Sequence, residues 1–405
     1  MSGTKSISQS DVKEESLKDS IKAAMKANMR QYTMFIALIF IGIIFNILTD
    51  GTFISSRNLN NLFLQTATIA ILACGMVLII IAGHIDLSIG SVAGFCGAIA
   101  AIAQVKYGWG TVPAILLTLV VGLIVGLWQG YWVAYQNVPS FIVTLAGMLI
   151  FRGAVIGVTN GATIAPMKDS FRAIGQDYIP RLFLQDASYH DTTLFLGIIC
   201  ILAYIIFEAR SRRTRVSYGF KVLPFQLQIV KVVAISALIG LTFLIMVSYL
   251  GMPYCIVLVA AVVFFYSYLS TMTPFGRHVY AIGGNKEAAR LSGINIKRTT
   301  LLIFISMGLL SAIGGIVFTG RLNSATASAG NLFELDAIAA CYIGGASAMG
   351  GEGSVIGAII GALVMATINN GMSLMNVEIQ WQNIVKGLIL LAAVWIDIVS
   401  RKKSV

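Results

Sequence analysis

The stretch AIGGNKEAARLSGINIK occupies residues 281–297 and separates two long apolar runs of the chain. It is polar, and the glycine pair Gly283 and Gly284 opens it. The side-chain oxygen of Asn285 can cap the free N–H groups of a following helical turn, and Gly293 can end that helix in a left-handed conformation. The stretch therefore predicts a short helix between membrane spans, which is either part of a solvated loop or a docking element for another protein.

The composition is that of a polytopic membrane protein. The chain has 405 residues, of which 57% are hydrophobic and only 11% are charged, whereas a soluble domain carries about 25% charged residues. This leaves no room for a sizeable separate soluble domain. The formal net charge of +11 does not indicate nucleic-acid binding, because the basic residues cluster in loops beside apolar runs, where the positive-inside rule accounts for them.

Apolar runs near the length needed to cross a bilayer recur along the chain. They predict an all-α fold, a transmembrane helical bundle of about twelve spans. The predicted spans are 33–49, 59–82, 86–105, 111–133, 139–158, 193–207, 228–250, 253–270, 299–319, 335–350, 354–376 and 381–397. Two of them, 193–207 and 335–350, are short for a span, and 86–105 is compatible with a partly re-entrant helix.

The charged loops predict the orientation of the bundle. The segment 208–231 carries six basic residues and one acidic residue, and 271–298 carries five basic residues and one acidic residue. The segment 160–192 carries three basic and four acidic residues, and 400–405 is basic. If the spans alternate in direction, the basic segments share one side and the acidic loop lies on the other. The positive-inside rule then predicts that both termini are cytoplasmic.

The sequence divides into two tails and one membrane domain. In residues 1–32 apolar positions recur every four residues with basic residues alongside. This predicts a cytoplasmic amphipathic helix on the membrane surface or, alternatively, a mobile tail. Residues 33–399 form the predicted transmembrane domain, which contains the cytoplasmic loop 271–298, and residues 400–405 form a basic cytoplasmic tail.

No motif for catalysis or cofactor binding occurs in the sequence. The pattern G-x-x-x-x-G-K-[ST] is absent, as are H-E-x-x-H and G-x-S-x-G. None of the five cysteines belongs to a C-x-x-C pair, and the three histidines are scattered. We therefore interpret the cysteines as small buried hydrophobic residues and expect no disulfide, no metal site and no cofactor. The chain is not expected to be an enzyme.

A few polar and ionisable residues lie within or beside the predicted spans, where a charge is costly and often functional. The candidates for a translocation path or gate are His84, Asp86, Ser88, Arg152, Glu334 and Asp336. Several also have a structural interpretation. Asp86 is placed to cap a helix, and His84 is compatible with the membrane interface. Arg152 and Lys386 could snorkel or pair with backbone carbonyls.

The placement of the acidic residues bears on the source of energy for transport. A proton- or sodium-driven symporter usually needs acidic residues deep in the bundle, and here most of them lie at span ends or in loops. This favours a transporter whose energy comes from another subunit. An ATPase that docks on the short helix of residues 281–297 would supply it.

Glycines spaced by four residues predict helix faces that allow close packing. The three sets are Gly122, Gly126 and Gly130; Gly153, Gly157 and Gly161; and Gly353, Gly357 and Gly361. In addition, the pattern GSVxG begins at both Gly90 and Gly353. This match indicates either an internal repeat, as in many transporters, or a coincidence between two small-residue segments.

Four blocks of sequence carry a family resemblance. They are GMV followed by AGHIDLSIGS (75–91), NVPSFIVTL (137–145), YAIGGN with AARLSGI (280–294), and FELDAIAA with GGAS (333–347). Their order and spacing resemble bacterial sugar ABC-importer permeases of the ribose/xylose type over most of residues 59–397. The segment AGHIDLS most resembles the branch of this family that transports xylose or multiple monosaccharides.

The resemblance implies a permease subunit in the bacterial cytoplasmic membrane, surrounded by lipid, that moves a monosaccharide such as xylose. It implies three protein partners, namely a second permease copy in a homodimer, a cytoplasmic ABC ATPase and an extracytoplasmic sugar-binding protein. It also implies a core of ten spans, to which 193–207 and 228–250 add a hairpin. An importer for another small solute, an ion-coupled sugar transporter and a non-transporting scaffold remain the alternatives.

The resemblance also assigns a role to the opening stretch, because the family's coupling-helix region matches residues 283–294. The residues expected to couple the permease to the ATPase are Gly283, Gly284, Asn285, Glu287, Ala288, Ala289, Leu291 and Gly293.

Overall fold

The computed structural model describes residues 34–182, 189–220 and 222–402, and within these ranges it contains helices and no strand. The helices are α1 (Met34–Leu48), α2 (Ser56–Ile81), α3 (Ile89–Ala101), α4 (Thr111–Ala134), α5 (Ser140–Thr159), α6 (Asp169–Gln176), α7 (Asp191–Ser217), α8 (Phe225–Val247), α9 (Tyr254–Met272), α10 (Pro274–Gly284), α11 (Lys286–Leu291), α12 (Ile296–Leu322), α13 (Phe333–Ile343), α14 (Val355–Leu374) and α15 (Ile379–Lys402). The predicted amphipathic helix of residues 1–32 lies outside the described ranges. The all-α prediction is confirmed.

Ten described helices are long and apolar enough to cross a membrane. The predicted span 33–49 corresponds to the shorter α1, and 335–350 to α13, which has only 11 residues because it ends at Gly344. The predicted span 86–105 is realised by α3 and a π-helical turn, Ile102–Lys106, that continues it. Among the described residues, the bundle therefore combines ten helices of spanning length with the short apolar helix α1 and the 11-residue helix α13.

Contacts between helix ends sort the loops into two groups. We call the end of the bundle that carries 208–231 and 271–298 the basic end. There the hydroxyl of Tyr280 donates to the carbonyl oxygen of Gly353 at 2.8 Å, which places the turn before α14 at the same end. We call the end that carries 160–192 the acidic end, where this loop pairs with backbone that follows α8 and α12. The basic loops and the acidic loop thus lie at opposite ends, as their charges predict, while the side that faces the cytoplasm stays a prediction.

Two four-helix units of the bundle are built alike and run in opposite directions. The long helices α2 and α12 are antiparallel, with Gly75 beside Met307 and Gly314 beside Leu72. Each is followed by an irregular link, a short helix and two further helices. In packing, α3 contacts α12 and α5, whereas α13 contacts α2 and α15; α4 lies on α12 as α14 lies on α2. Helices α2–α5 and α12–α15 therefore form an inverted repeat, an arrangement common in transporters.

The GSVxG match does not belong to this repeat. The repeat pairs α3 with α13 and α4 with α14, whereas Gly90 lies at the start of α3 and Gly353 precedes α14. The structural repeat thus rests on helix order and packing and not on the GSVxG match.

The three glycine sets differ in their surroundings. A Cβ on Gly122 would lie 2.5 Å from the carbonyl oxygen of Gly308 on α12, and Gly361 likewise abuts Ala340 on α13. These glycines allow the close packing that the sequence predicts. By contrast, a Cβ on Gly153 or its two partners would meet no atom of the described chain within 4 Å, so for that set the prediction of a packed face within the chain is wrong.

The predicted extra hairpin is present as α7 and α8. Glu208 on α7 binds Lys231 on α8 at 2.7 Å, which ties the two helices together. Only 17% of the apolar stretch of α7 and 6% of that of α8 are buried inside the chain, so the hairpin lies at the periphery of the bundle. Helix α7 continues to Ser217, and the arginines 210–215 therefore lie on its last turns, although the sequence had placed them in a loop.

Candidate functional site

The opening stretch folds as two consecutive short helices. Gly283 and Gly284 end α10 and do not open the segment as predicted, because the apolar positions before them already form a helix. Asn285 then caps α11, and its Oδ1 accepts a hydrogen bond from the N–H of Ala288 at 3.0 Å. Gly293 has φ +82° and follows the end of α11. The predicted capped helix is therefore confirmed, with one further helix in front of it.

Helix α10 is attached firmly to the core of the bundle. Gly283 packs directly on the carbonyl oxygen of Ile81, where no side chain would fit. The same oxygen accepts the N–H of Gly351 at 2.8 Å. The hydroxyl of Tyr280 donates to the carbonyl oxygen of Gly353, and burial raises the pKa of Tyr280. The ends of α2 and of the 344–353 turn are thereby linked to α10.

Helix α11 presents its outer face to solvent at the basic end. Leu291 is 84% exposed, although it is a large apolar residue. Glu287 and Arg290 form an ion pair at 2.7 Å, and both side chains are about two-thirds exposed. Ala288 is exposed as well, whereas Ala289 is buried against the bundle. The outer face of α11 therefore offers one large apolar side chain beside an ion pair, both accessible to a partner protein.

Asp86 and Ser88 stabilise the turn that precedes α3. Asp86 is 1% exposed, and its Oδ1 accepts hydrogen bonds from both the N–H and the Oγ of Ser88, at 2.8 and 2.7 Å. The Nε2 of Gln129 on α4 donates to the same Ser88 Oγ at 2.7 Å. The prediction that Asp86 caps α3 is wrong, because Ser88 occupies the N-cap position; Asp86 has a structural role of another kind and stabilises the preceding turn. His84 lies half-buried in the same link, with its ring 5.9 Å from that of Phe304.

The N-termini of α3 and α13 meet inside the bundle. Glu334, which is 5% exposed, lies against Gly90. Arg152 on α5 donates from Nη1 to the carbonyl oxygen of Ala329 at 2.7 Å and so fixes the link in front of α13. The predicted pairing of Arg152 with a backbone carbonyl is confirmed. Two helix N-termini with partial positive charge favour an acidic residue at this junction.

Asp336 faces a different neighbour from Glu334. Its Oδ2 binds Nζ of Lys386 on α15 at 3.1 Å, and the two side chains are only 6% and 17% exposed. Lys386 therefore pairs with a buried carboxylate, and the expectation that it snorkels or binds backbone carbonyls is wrong. The six predicted path residues are thus distributed over four places. They are the link before α3 (His84), the turn that precedes α3 (Asp86 and Ser88), the junction of α3 with α13 (Arg152 and Glu334), and the contact of α13 with α15 (Asp336).

The cysteines match the sequence interpretation with one exception. Cys74, Cys96, Cys255 and Cys341 are buried, Cys200 is exposed, and none of the five forms a disulfide. Cys200 lies on the peripheral helix α7. Among the residues that the structure describes, no group of three or more His, Cys, Asp or Glu side chains could hold a metal ion.

Comparison with known proteins identifies the family. Residues 58–394 match the model of the permease component of branched-chain amino acid transport systems. The chain belongs to this family. It is 46% identical to the xylose transport system permease protein XylH of Escherichia coli strain K12 over 93% of this chain and 94% of that protein. The corresponding protein of Haemophilus influenzae is 44% identical over 93% of this chain and 98% of that protein.

More distant relatives include the ribose import permease protein RbsC of Bacillus subtilis strain 168, which is 33% identical over 93% of this chain and 94% of that protein. No solved structure matches the chain. The predicted resemblance is confirmed. The chain is a multi-pass protein of a bacterial cytoplasmic membrane and a transport subunit.

Proposed function

We propose that the chain is the membrane permease subunit of an ATP-driven importer of a monosaccharide, with xylose as the first candidate. One observation carries this proposal: the identity to XylH is 46% over 93% of the chain, compared with 33% to RbsC over the same share. A match of this extent includes the α10–α11 segment and the two helix breaks, which are the irregular links 82–88 after α2 and 323–332 after α12. The main alternatives are an importer of another small solute and an ion-coupled sugar transporter.

The chain requires an ATPase partner under this proposal, because its sequence has no nucleotide-binding motif. We infer that the ATPase docks at the basic end on α11 through the exposed Leu291, Ala288 and the Glu287–Arg290 pair. The basic end is then cytoplasmic, as the positive-inside rule predicts. The extracytoplasmic sugar-binding protein meets the acidic end, and two copies of the chain form the complete permease.

Helix α10 provides a mechanical route from the ATPase to the helix breaks. It contacts the end of α2 through Gly283 and the 344–353 turn through Tyr280. Helix α2 leads into the link 82–88, and the 344–353 turn directly follows α13. A displacement of α10 and α11 by the closing ATPase therefore shifts both breaks together, a rigid-body transition of the kind that packed helices allow.

A direct test is uptake of radiolabelled xylose into proteoliposomes that contain the chain, its cognate ATPase and the sugar-binding protein. We expect accumulation with ATP supplied on the ATPase side and none with a non-hydrolysable analogue. Accumulation driven by an imposed proton or sodium gradient without ATP would identify the ion-coupled alternative. If ATP drives no xylose or ribose uptake, binding assays on the cognate binding protein decide whether another solute is the substrate.

A further inference from the structure

A cavity of about 320 Å³ lies beside α13, between α2, α12, α14 and α15. Its polar lining residues include Gln65, Thr68, Arg321, Asp336, Asn369 and Lys386. Phe318 and Phe333 form its aromatic part, with ring centroids 4.9 Å apart at an interplanar angle of 85°. The volume lies near the lower end of the range for small-molecule sites, roughly 300–1,000 Å³.

Several buried oxygen atoms that line this cavity lack a partner. Thr68 is 1% exposed, and its Oγ1 forms no hydrogen bond; the same holds for Oδ1 of Asn369. Oδ1 of Asp336 also lacks one, apart from an interaction of its carboxylate with the Asn369 side chain. Buried polar atoms in proteins nearly always have hydrogen-bond partners. Oγ1 of Thr68 and Oδ1 of Asn369, both on residues that line this one cavity, therefore indicate that a ligand supplies the missing donors.

We propose that this cavity is a binding site for one monosaccharide molecule within a single copy of the chain, an inference that rests on the proposed function. Sugar hydroxyl groups donate to Thr68, Asp336 and Asn369 and accept from Lys386 and Arg321. The aromatic rings provide an apolar surface for the C–H groups of the sugar. An anionic ligand fits less well, because it offers only acceptors to the unpartnered oxygens and meets the carboxylate of Asp336.

The position of the cavity suits a site that responds to ATP hydrolysis. Asp336 lies in the first turn of α13, and the turn after α13 is bound to α10 through Gly353 and Tyr280. Movement of α10 therefore reaches one wall of the cavity through a helix of 11 residues. The opposite wall belongs to α2 and α12, the long helices of the inverted repeat.

The test is a saturation-transfer difference NMR titration of D-xylose against the full chain in lipid nanodiscs. Thr68→Val keeps the shape of the side chain and removes the hydroxyl, and Asn369→Leu removes the amide. We expect each to weaken binding by roughly tenfold, the effect of a lost buried hydrogen bond. The matched control is Thr118→Val, a buried threonine on α4 whose hydroxyl binds the carbonyl of Ala114 in its own helix. It should bind xylose like the parent chain.

Uptake measured in the complete complex separates this inference from the proposed function. If the parent chain imports xylose and both variants bind and import it equally well, the cavity is not the site, while the proposed function stands. If the parent chain binds xylose and the variants do not, the site stands even when no import is observed, and the proposed function fails. Absence of measurable binding to the parent chain overturns the site.

Discussion

The two helix breaks occupy equivalent positions in the inverted repeat, but their polar side chains are paired differently. Before α3, the carboxylate of Asp86 accepts two hydrogen bonds from Ser88, which is held in turn by Gln129. Before and along α13, Asp336 binds Lys386 and interacts with the Asn369 side chain, and Oδ1 of Asn369 and Oγ1 of Thr68 remain unpaired beside a cavity. The comparison teaches that the turn at Asp86 is completed by protein side chains, whereas the second break leaves unpaired oxygens around a cavity. Beside the start of α3, Oγ of Ser91 and Oε2 of Glu334 also form no hydrogen bond.

The largest effect is expected at the second break. Lys386→Met leaves the buried carboxylate of Asp336 without its charge partner, and breaking a buried pair costs roughly 3–5 kcal/mol. The measurement is thermal unfolding of the detergent-solubilised chain. The double variant Asp336→Leu with Lys386→Met should recover most of the lost stability and still fail to transport.

The control for this ion pair is an exposed one at the acidic end. Asp169 and Arg172 form a pair at 3.2 Å, with the Asp169 side chain 89% exposed. Arg172→Met should change stability by less than about 1 kcal/mol, since solvent-exposed pairs contribute little. If Lys386→Met unfolds at the same temperature as Arg172→Met, the buried pair does not stabilise the second break.

A smaller effect is expected at the first break. Asp86→Ala removes both hydrogen bonds from Ser88 and leaves that hydroxyl without its acceptor, at a cost of about 2 kcal/mol. Xylose binding per folded molecule should be unchanged, because Asp86 does not line the proposed cavity. The readouts are the unfolding temperature and the same NMR titration. A loss of binding without a loss of stability would reverse the roles assigned to the two breaks.

Two variants test the proposed docking surface on α11, one by reversing a charge and the other by disturbing the helix that precedes it. Glu287→Arg removes the ion pair with Arg290, and Gly284→Pro disturbs the end of α10; both sites are exposed. We expect about fivefold or more loss of ATPase affinity, the effect of a significant interface residue, with unchanged membrane insertion. Co-purification of the ATPase is the measurement. Asp169→Arg is the control, a charge reversal on the short helix α6 at the opposite end.

The smallest effect is expected at an unpacked glycine of α5, which is compared with a packed glycine of α4. Gly153→Ala on α5 meets open space and should stabilise the helix by less than about 1 kcal/mol. Gly122→Ala on α4 would bring a methyl group onto Gly308 and should destabilise by roughly 1–3 kcal/mol. Unfolding temperatures of the two variants test this directly. Equal effects would mean that α4 and α12 pack more loosely than the structure indicates.

Much of the architecture could be predicted from hydropathy and caps. Ten helices of spanning length, the peripheral hairpin and the capped helix at Asn285 all follow from local composition. The length of α13 and the extra helix α10 could not be predicted as well. The apolar run 335–350 predicts a membrane span, but α13 ends early at Gly344 and the tight contacts of the turn that follows it.

The functional residues could be predicted only in part. An ionisable residue inside an apolar run is visible in the sequence, which is why Asp86, Arg152 and Asp336 were candidates. Their partners were not visible: Lys386 lies 50 residues from Asp336, and Arg152 lies 177 residues from Ala329. A sequence shows that a buried charge needs a partner, and it does not show which one.

The amino-acid sequence by itself determined the helical class, the sorting of basic and acidic loops to opposite ends, and the capped α11, because each depends on residues close together in the chain. Only the tertiary structure decided the inverted repeat, the meeting of α3 with α13 and the polar cavity beside it. These features depend on which distant helices pack together. Close packing can bring the same polar side chain either onto a partner, as with Ser88, or to the edge of an open cavity, as with Thr68.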